Sequence, residues 1–179
     1  MDISKTDKQK QQLLIETLEK SSDEKVMSML IDLKEHGELF YLNSLLNMLL
    51  SNRSEQLKKG LVEFISDIKL QAAAPIIANC VDIHKSSPHI ILLITASWQS
   101  RLDFSAHLST FFQILIDSDY KSAFEAFTVI ENNIDGLTPD ELTEHIALVR
   151  KGINKTDRDK QLLLLEMISV LDKTRRAAE

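Results

Sequence analysis

"FFQILIDSDYKSAFEAFTVIEN", residues 111–132, places apolar side chains three and four positions apart on both sides of a short polar step. Phe111 and Leu115 continue a stripe begun by Phe104 and Leu108, and Ala123, Phe127 and Ile130 form the next. That period belongs to helices, because strand side chains alternate every two residues. The polar step "DSDYK" leaves room only for a tight turn, which predicts antiparallel neighbours.

The same period runs outward in both directions, in a chain with only four glycines and three prolines to interrupt it. Upstream stripes are Val26, Met29, Leu30 and Leu33; Leu39, Leu42, Leu46 and Leu49; Leu57, Leu61, Phe64 and Ile68; Ile76, Cys80 and Ile83; and Ile91, Ile94 and Trp98. Downstream are Leu142, Ile146 and Val149, then Leu164, Ile168 and Leu171. With a first helix near residues 8–20, the reading is all-α, about ten helices of roughly 12 to 18 residues. Asp103 is expected to cap one helix, Thr138 to form a capping box with Pro139 and Glu141 behind it, and Thr156 to open the last helix. Gly37, Gly136 and Gly152 are expected to close helices in the left-handed conformation.

A second pattern overlies the first. "LIDLK", "ISDIK", "CVDIHK" and "LIDSDYK" each set an aspartate after apolar residues with a lysine beyond. Asp32 and Asp67 are 35 residues apart, as are Asp82 and Asp117, close to the length of one helix pair. Residues 111–132, and "AAAPIIANCVDIHKSSPHIILLITASW" at 72–98 with Pro75 and Pro88, resemble HEAT-type repeats of the armadillo/HEAT superfamily. The resemblance implies antiparallel helical hairpins stacked as a short right-handed α-solenoid, one domain over 1–179 with its core at 23–150. Two departures accompany it: Lys121 stands where the family favours arginine, and the step of 15 residues from Asp67 to Asp82 breaks the phase. "KTDKQKQQLLIE" (5–16) and "KTDRDKQLLLLE" (155–166) agree at eight of twelve positions. The segments 1–22 and 154–179 are therefore expected to be terminal caps, whether by duplication or by shared helix-start chemistry.

Composition narrows the function. A hydrophobic content of 44% in 179 residues supports a buried core. A net charge of −6 and a pI near 5.4 argue against general adhesion to nucleic acid or anionic membrane. One cysteine rules out an internal disulfide. Without a secretory signal or a run near 18 apolar residues, the chain is expected to be soluble and cytoplasmic.

Signatures of chemistry are missing. There is no glycine-rich phosphate loop, nucleophile elbow or zinc-protease pair, and His36, His84, His89, His107 and His145 never fall three or four apart. Asp117 and Asp119 begin a calcium-loop pattern that fails at Lys121, Ser122 and Thr128. Cys80, on an apolar stripe, reads as a core residue. Glu125 and Glu131 read as solvated carboxylates. No cofactor or metal is expected.

Charge is distributed unevenly. From Asp103 to His145 nine acidic residues face Lys121 alone, whereas Arg150 to Arg176 carries eight basic and four acidic residues. Either the last helices neutralise the acidic ones, or an acidic face awaits a basic protein. Trp98, the only tryptophan, closes a helical stripe beside Arg101 and Asp103; it serves as a joint or as an interface anchor. The leading expectation is a non-enzymatic scaffold or adaptor that binds a protein through Trp98, Arg101, Asp117, Asp119, Glu125 and Glu131. The alternative is a nucleic-acid-binding or DNA glycosylase-like protein with a basic channel of Lys58, Lys59, Arg150, Lys151, Arg158, Arg175 and Arg176. A chromophore- or cofactor-handling protein is a third class.

Overall fold

The structure, a computed structural model, describes residues 5–178. The first four residues of the expected N-terminal cap, and Glu179, lie outside it. Ten α-helices and no strand are present among the described residues: α1 (Lys5–Lys20), α2 (Asp23–His36), α3 (Leu42–Leu49), α4 (Glu55–Ser66), α5 (Ala73–Ile83), α6 (Ile90–Ser100), α7 (Leu108–Asp117), α8 (Tyr120–Glu131), α9 (Pro139–Ile153) and α10 (Arg158–Ala178). A 3₁₀ turn at Ser105–His107 leads into α7. Lengths run from eight residues in α3 to 21 in α10, a wider spread than periodicity suggested.

Helix contacts fall into two series. One links α1 to α3, α3 to α5, α5 to α7 and α7 to α9; the other links α2 to α4, α4 to α6, α6 to α8 and α8 to α10. Adjacent helices pack together in α3–α4, α5–α6, α7–α8 and α9–α10. The apolar sides meet in one connected core from Leu18 to Leu171, with Phe104, Phe111 and Phe112 among its largest fully buried side chains. Phe104 and Phe111 meet edge to face at 5.4 Å.

Polar side chains bind helices of one series at a nearly constant step along the chain. Arg53 donates to Asp23 at 2.9 Å, across 30 residues, and Lys34 bonds Asp67 across 33. Ser66 donates to Gln99 across 33, and Thr95 to Glu125 across 30. Asp23 and Ser54 stand at the starts of α2 and α4, Lys34 and Asp67 near their ends, so these two helices run side by side in one direction. The 35-residue spacing of aspartates has the same origin. Asp32 and Asp67 lie on or just beyond α2 and α4, Asp82 and Asp117 on α5 and α7; the 15-residue slip is the crossing from one series to the other.

Side-chain caps mark some of the helix starts, whereas α3, α5, α6 and α7 have none. Ser22, Ser54 and Asp119 cap α2, α4 and α8, and Thr138 with Glu141 forms the expected capping box on α9. Several local expectations are corrected. Asp157, not Thr156, caps α10, its Oδ1 accepting from the Lys160 amide at 3.0 Å. Asp103 accepts from the Ser105 amide and so starts the 3₁₀ turn rather than α7, leaving Phe104 outside that helix. Leu39 likewise precedes α3. On α5 the buried residues are Ala73, Ala74, Ile77, Ala78, Cys80 and Val81, while Ile83 is 65% exposed. That helix is apolar on nearly every side, so periodicity alone could not fix its phase.

Of three glycines expected to be left-handed, only Gly37 is, with φ 62° after α2; Arg101, after α6, adopts φ 58°. Gly152 lies inside α9 instead, where a Cβ would come 2.8 Å from the Ile116 Cγ2 methyl of α7. At Gly60 the obstacle is the flexible thioether end of Met27. Gly60→Ala is therefore expected to be neutral or stabilising by up to about 1 kcal/mol, from helix propensity. Gly152→Ala should lose about 1 kcal/mol or more, because a β-branched side chain in a packed helix pair has nowhere to move. Urea-denaturation midpoints check the pair, and equal shifts at both sites would contradict it.

His145 on α9 stacks on Phe112 of α7, ring centroids 4.1 Å apart. Burial holds its pKa below the ordinary 6.5, against the opposing pull of Glu141 and Glu144. A depressed histidine pKa means that the unfolded chain takes the proton first as pH falls. Stability is thus complete above about pH 6.5 and declines below it, ahead of the carboxylate losses expected near pH 4 and lower. His145→Gln should flatten the stability profile between pH 7 and 5, measured as Tm against pH.

Candidate functional site

A cleft of about 780 Å³ opens where the ends of α6 and α8 meet the turns that follow them. Its lining includes Trp98, Arg101, Leu102, Asp103, Asn132 and Asp135. Trp98 sits on the last turn of α6 and is half-buried; its indole N–H donates to Glu125 Oε2 of α8 at 2.5 Å. Thr95 donates to the same oxygen at 2.8 Å. The tryptophan thereby joins two helices and still keeps ring surface in the cleft.

The walls are fixed by polar ties. Gln71, in the turn after α4, bonds the Asp103 backbone reciprocally, its Nε2 donating to the carbonyl at 2.5 Å and its Oε1 accepting from the amide at 2.9 Å. Asn133, in the turn after α8, accepts from the Phe104 amide at 2.7 Å and donates to the Val129 carbonyl at 2.7 Å. The Asp103 carboxylate takes hydrogen bonds from Ser105 that keep its pKa below the usual range, so it remains charged. Asp135 and Asn132 are exposed.

Six residues were expected to bind a partner. The structure brings Trp98, Arg101 and Glu125 to this cleft or its wall. Glu131 is exposed nearby at the end of α8 and lines a separate groove with Asp135 and Lys173. Asp117 and Asp119 lie at the other end of α8, by its first turn, and are not part of the cleft. Asp119 is a helix cap: burial would raise its pKa, but hydrogen bonds from Ser122 and Lys121 hold it down. Sequence reasoning missed Asn132, Asn133 and Asp135, polar residues in a turn without a spacing signal.

The acidic stretch is partly consumed by its own fold. Asp103, Asp119, Glu125 and Glu141 serve turns, caps or Trp98. Lys160 of α10 is 4% exposed and donates to the Ile116 carbonyl at 2.7 Å and to the Ser118 carbonyl, at the end of α7. Burial lowers its pKa while Asp117, Asp157 and Asp119 oppose that fall. Thus a C-terminal cation is buried against the end of α7, within the acidic segment.

The basic residues considered for a channel lie on α4, α9 and α10. Lys58 is buried against Glu55 and His89, at 3.3 Å from each. Arg175 and Arg176 both bond Asp172 at 2.6 Å. Lys59, Arg150, Lys151 and Arg158 are exposed, on α4, α9 and α10. Burial pushes the Cys80 thiol up to about 11, which suppresses the thiolate. Among the described residues no helix is long and apolar enough to cross a membrane, and no group of His, Cys, Asp or Glu is arranged to hold a metal ion. Comparison of the chain with protein-family models, curated proteins and solved structures gave no match.

Arg101 carries the only positive φ outside glycine among the described residues. A side chain in that region costs about 1 to 2 kcal/mol relative to glycine. Arg101→Gly is expected to stabilise the protein by about 1 kcal/mol, read from thermal or urea unfolding. A loss of stability would mean that the guanidinium holds the turn.

Proposed function

We propose that this chain is a HEAT-like helical-repeat protein, a short right-handed α-solenoid of antiparallel hairpins, that acts without catalysis as a protein-binding scaffold or adaptor. The observation carrying the reading is the pair of next-but-one contact series, tied by polar bonds that recur at steps near 30 to 33 residues. In such an architecture each unit leans only on its neighbours, and its long exterior is available to another macromolecule. The cleft at Trp98 supports a binding role. It combines an aromatic ring, a guanidinium and exposed polar side chains at an open site, the composition of an interface anchor. Its ionisable groups are an arginine and carboxylates, one of them held ionised, which suits recognition better than proton transfer.

Two measurements test the two halves of this reading. Leu164, fully buried on α10, is replaced by alanine and amide hydrogen exchange is followed by segment. Faster exchange confined to α9, α10 and adjoining α8 is expected, since a quasi-one-dimensional array fails locally; uniform acceleration through α3 to α6 overturns the solenoid. A photo-reactive side chain at Gln99, on the cleft, should then yield a discrete protein adduct in the native cell. The same group at Glu24, at the start of α2, should not. A small metabolite turned over at the cleft, or equal labelling from both positions, overturns the scaffold.

A further inference from the structure

Resting on that scaffold reading, we propose that the Trp98 cleft receives a lysine or arginine side chain from an extended segment of the partner protein. The cleft is large enough for several residues and open to solvent, which suits a chain passing through rather than an enclosed small molecule. Its electrostatics select a cation. Asp103 and Asp135 line it against Arg101, a surplus of one negative charge in the lining, and Glu125 stands behind the Trp98 ring. The C-terminal ends of α6 and α8 both abut the cleft, and each adds roughly half a negative charge of helix dipole.

Trp98 reinforces that preference. Its N–H is committed to Glu125, so what remains for a ligand is the carbon surface of the indole, whose face attracts lysine and arginine. Gln99 and Asn133 are likewise engaged, with Ser66 and with Phe104 and Val129. Among the described residues Arg101, Asn132 and Asp135 make no side-chain hydrogen bond, which leaves the carboxylate to the entering cation and the other two to the main chain of its segment.

The sole tryptophan makes the experiment direct. Acetylated hexa-arginine amide and acetylated hexa-glutamate amide are titrated into the full chain while Trp98 emission is recorded at several salt concentrations. Hexa-arginine should change the emission saturably, with affinity falling as salt rises, and hexa-glutamate should not. The double variant Asp103→Asn, Asp135→Asn keeps the turn acceptor at 103 while removing both charges; its affinity should fall about 3- to 30-fold. Asp159→Asn, at the opposite end on α10, should change nothing. A response to hexa-glutamate alone, or hexa-arginine binding unchanged in the double variant, overturns the proposal. So does silence from both peptides. None of these outcomes touches the scaffold reading, which is decided by the exchange and photo-cross-linking measurements.

Discussion

Helices of eight to eleven residues, such as α3, α5, α6 and α7, do not hold themselves in water, where about 12 to 15 residues are needed even for favourable sequences. Everything else in this structure follows from the need to cover their apolar sides. On α3, six of eight residues are buried, Leu42, Ser44, Leu45, Leu46, Met48 and Leu49. A stripe that wide cannot be covered by one neighbour, and α3 accordingly touches α1, α4, α5 and α6. Each leucine fully removed from water contributes about 1.5 to 3 kcal/mol, enough to offset the ordering of a helix that would otherwise melt. The next-but-one contacts are the consequence of short helices with broad apolar faces.

Apolar burial is non-directional, so it leaves the register of neighbouring helices open. Polar groups at helix ends supply it. Asp23 accepts from Arg53 and from the Ser54 amide, setting the start of α4 against the start of α2. Lys160 reaches the carbonyls of Ile116 and Ser118, supplying α7 with the cation that a helix C-terminus favours. The Lys160 bonds satisfy carbonyls that would otherwise be stranded at the end of α7. A helix shifted by one turn along its neighbour would lose them while keeping most of its burial.

Legibility in the sequence tracks how local the deciding interaction is. The capping box at Thr138 is contained within four residues, and it was readable; so was the helical character of the chain. The phase of α5 was not, because alanines on several sides make its packing face depend on what lies opposite. Lys160 gave no sign of burial, since its partners are 42 and 44 residues away. The acidic run from Asp103 to His145 invited a reading as one charged face. Asp119 is instead helix-start chemistry, a use hidden when charges are only counted. At the cleft, Trp98 and Arg101 were legible by residue type, whereas Asn132, Asn133 and Asp135 owe their place to the way one turn docks on another.

The cleft itself arises where the register is kept but the residues change. Ser66 bonds Gln99, so the ends of α4 and α6 lie side by side, and three residues before their caps stand Phe64 and Trp98. Phe64 is buried, while the larger indole remains half in solvent. The helix ends then diverge: Asp67 closes α4 with φ −85°, in the right-handed region, but Arg101 closes α6 with φ 58°. A chain leaving a helix through a left-handed residue departs in a different direction, and Gln71 draws the resulting turn towards α4 by gripping the Asp103 backbone. The turn after α6 is thus held on its α4 side, and towards α8 the space is bridged by Asn133 and walled by Trp98. The left-handed residue at 101 and the large ring at 98 thus border the same opening.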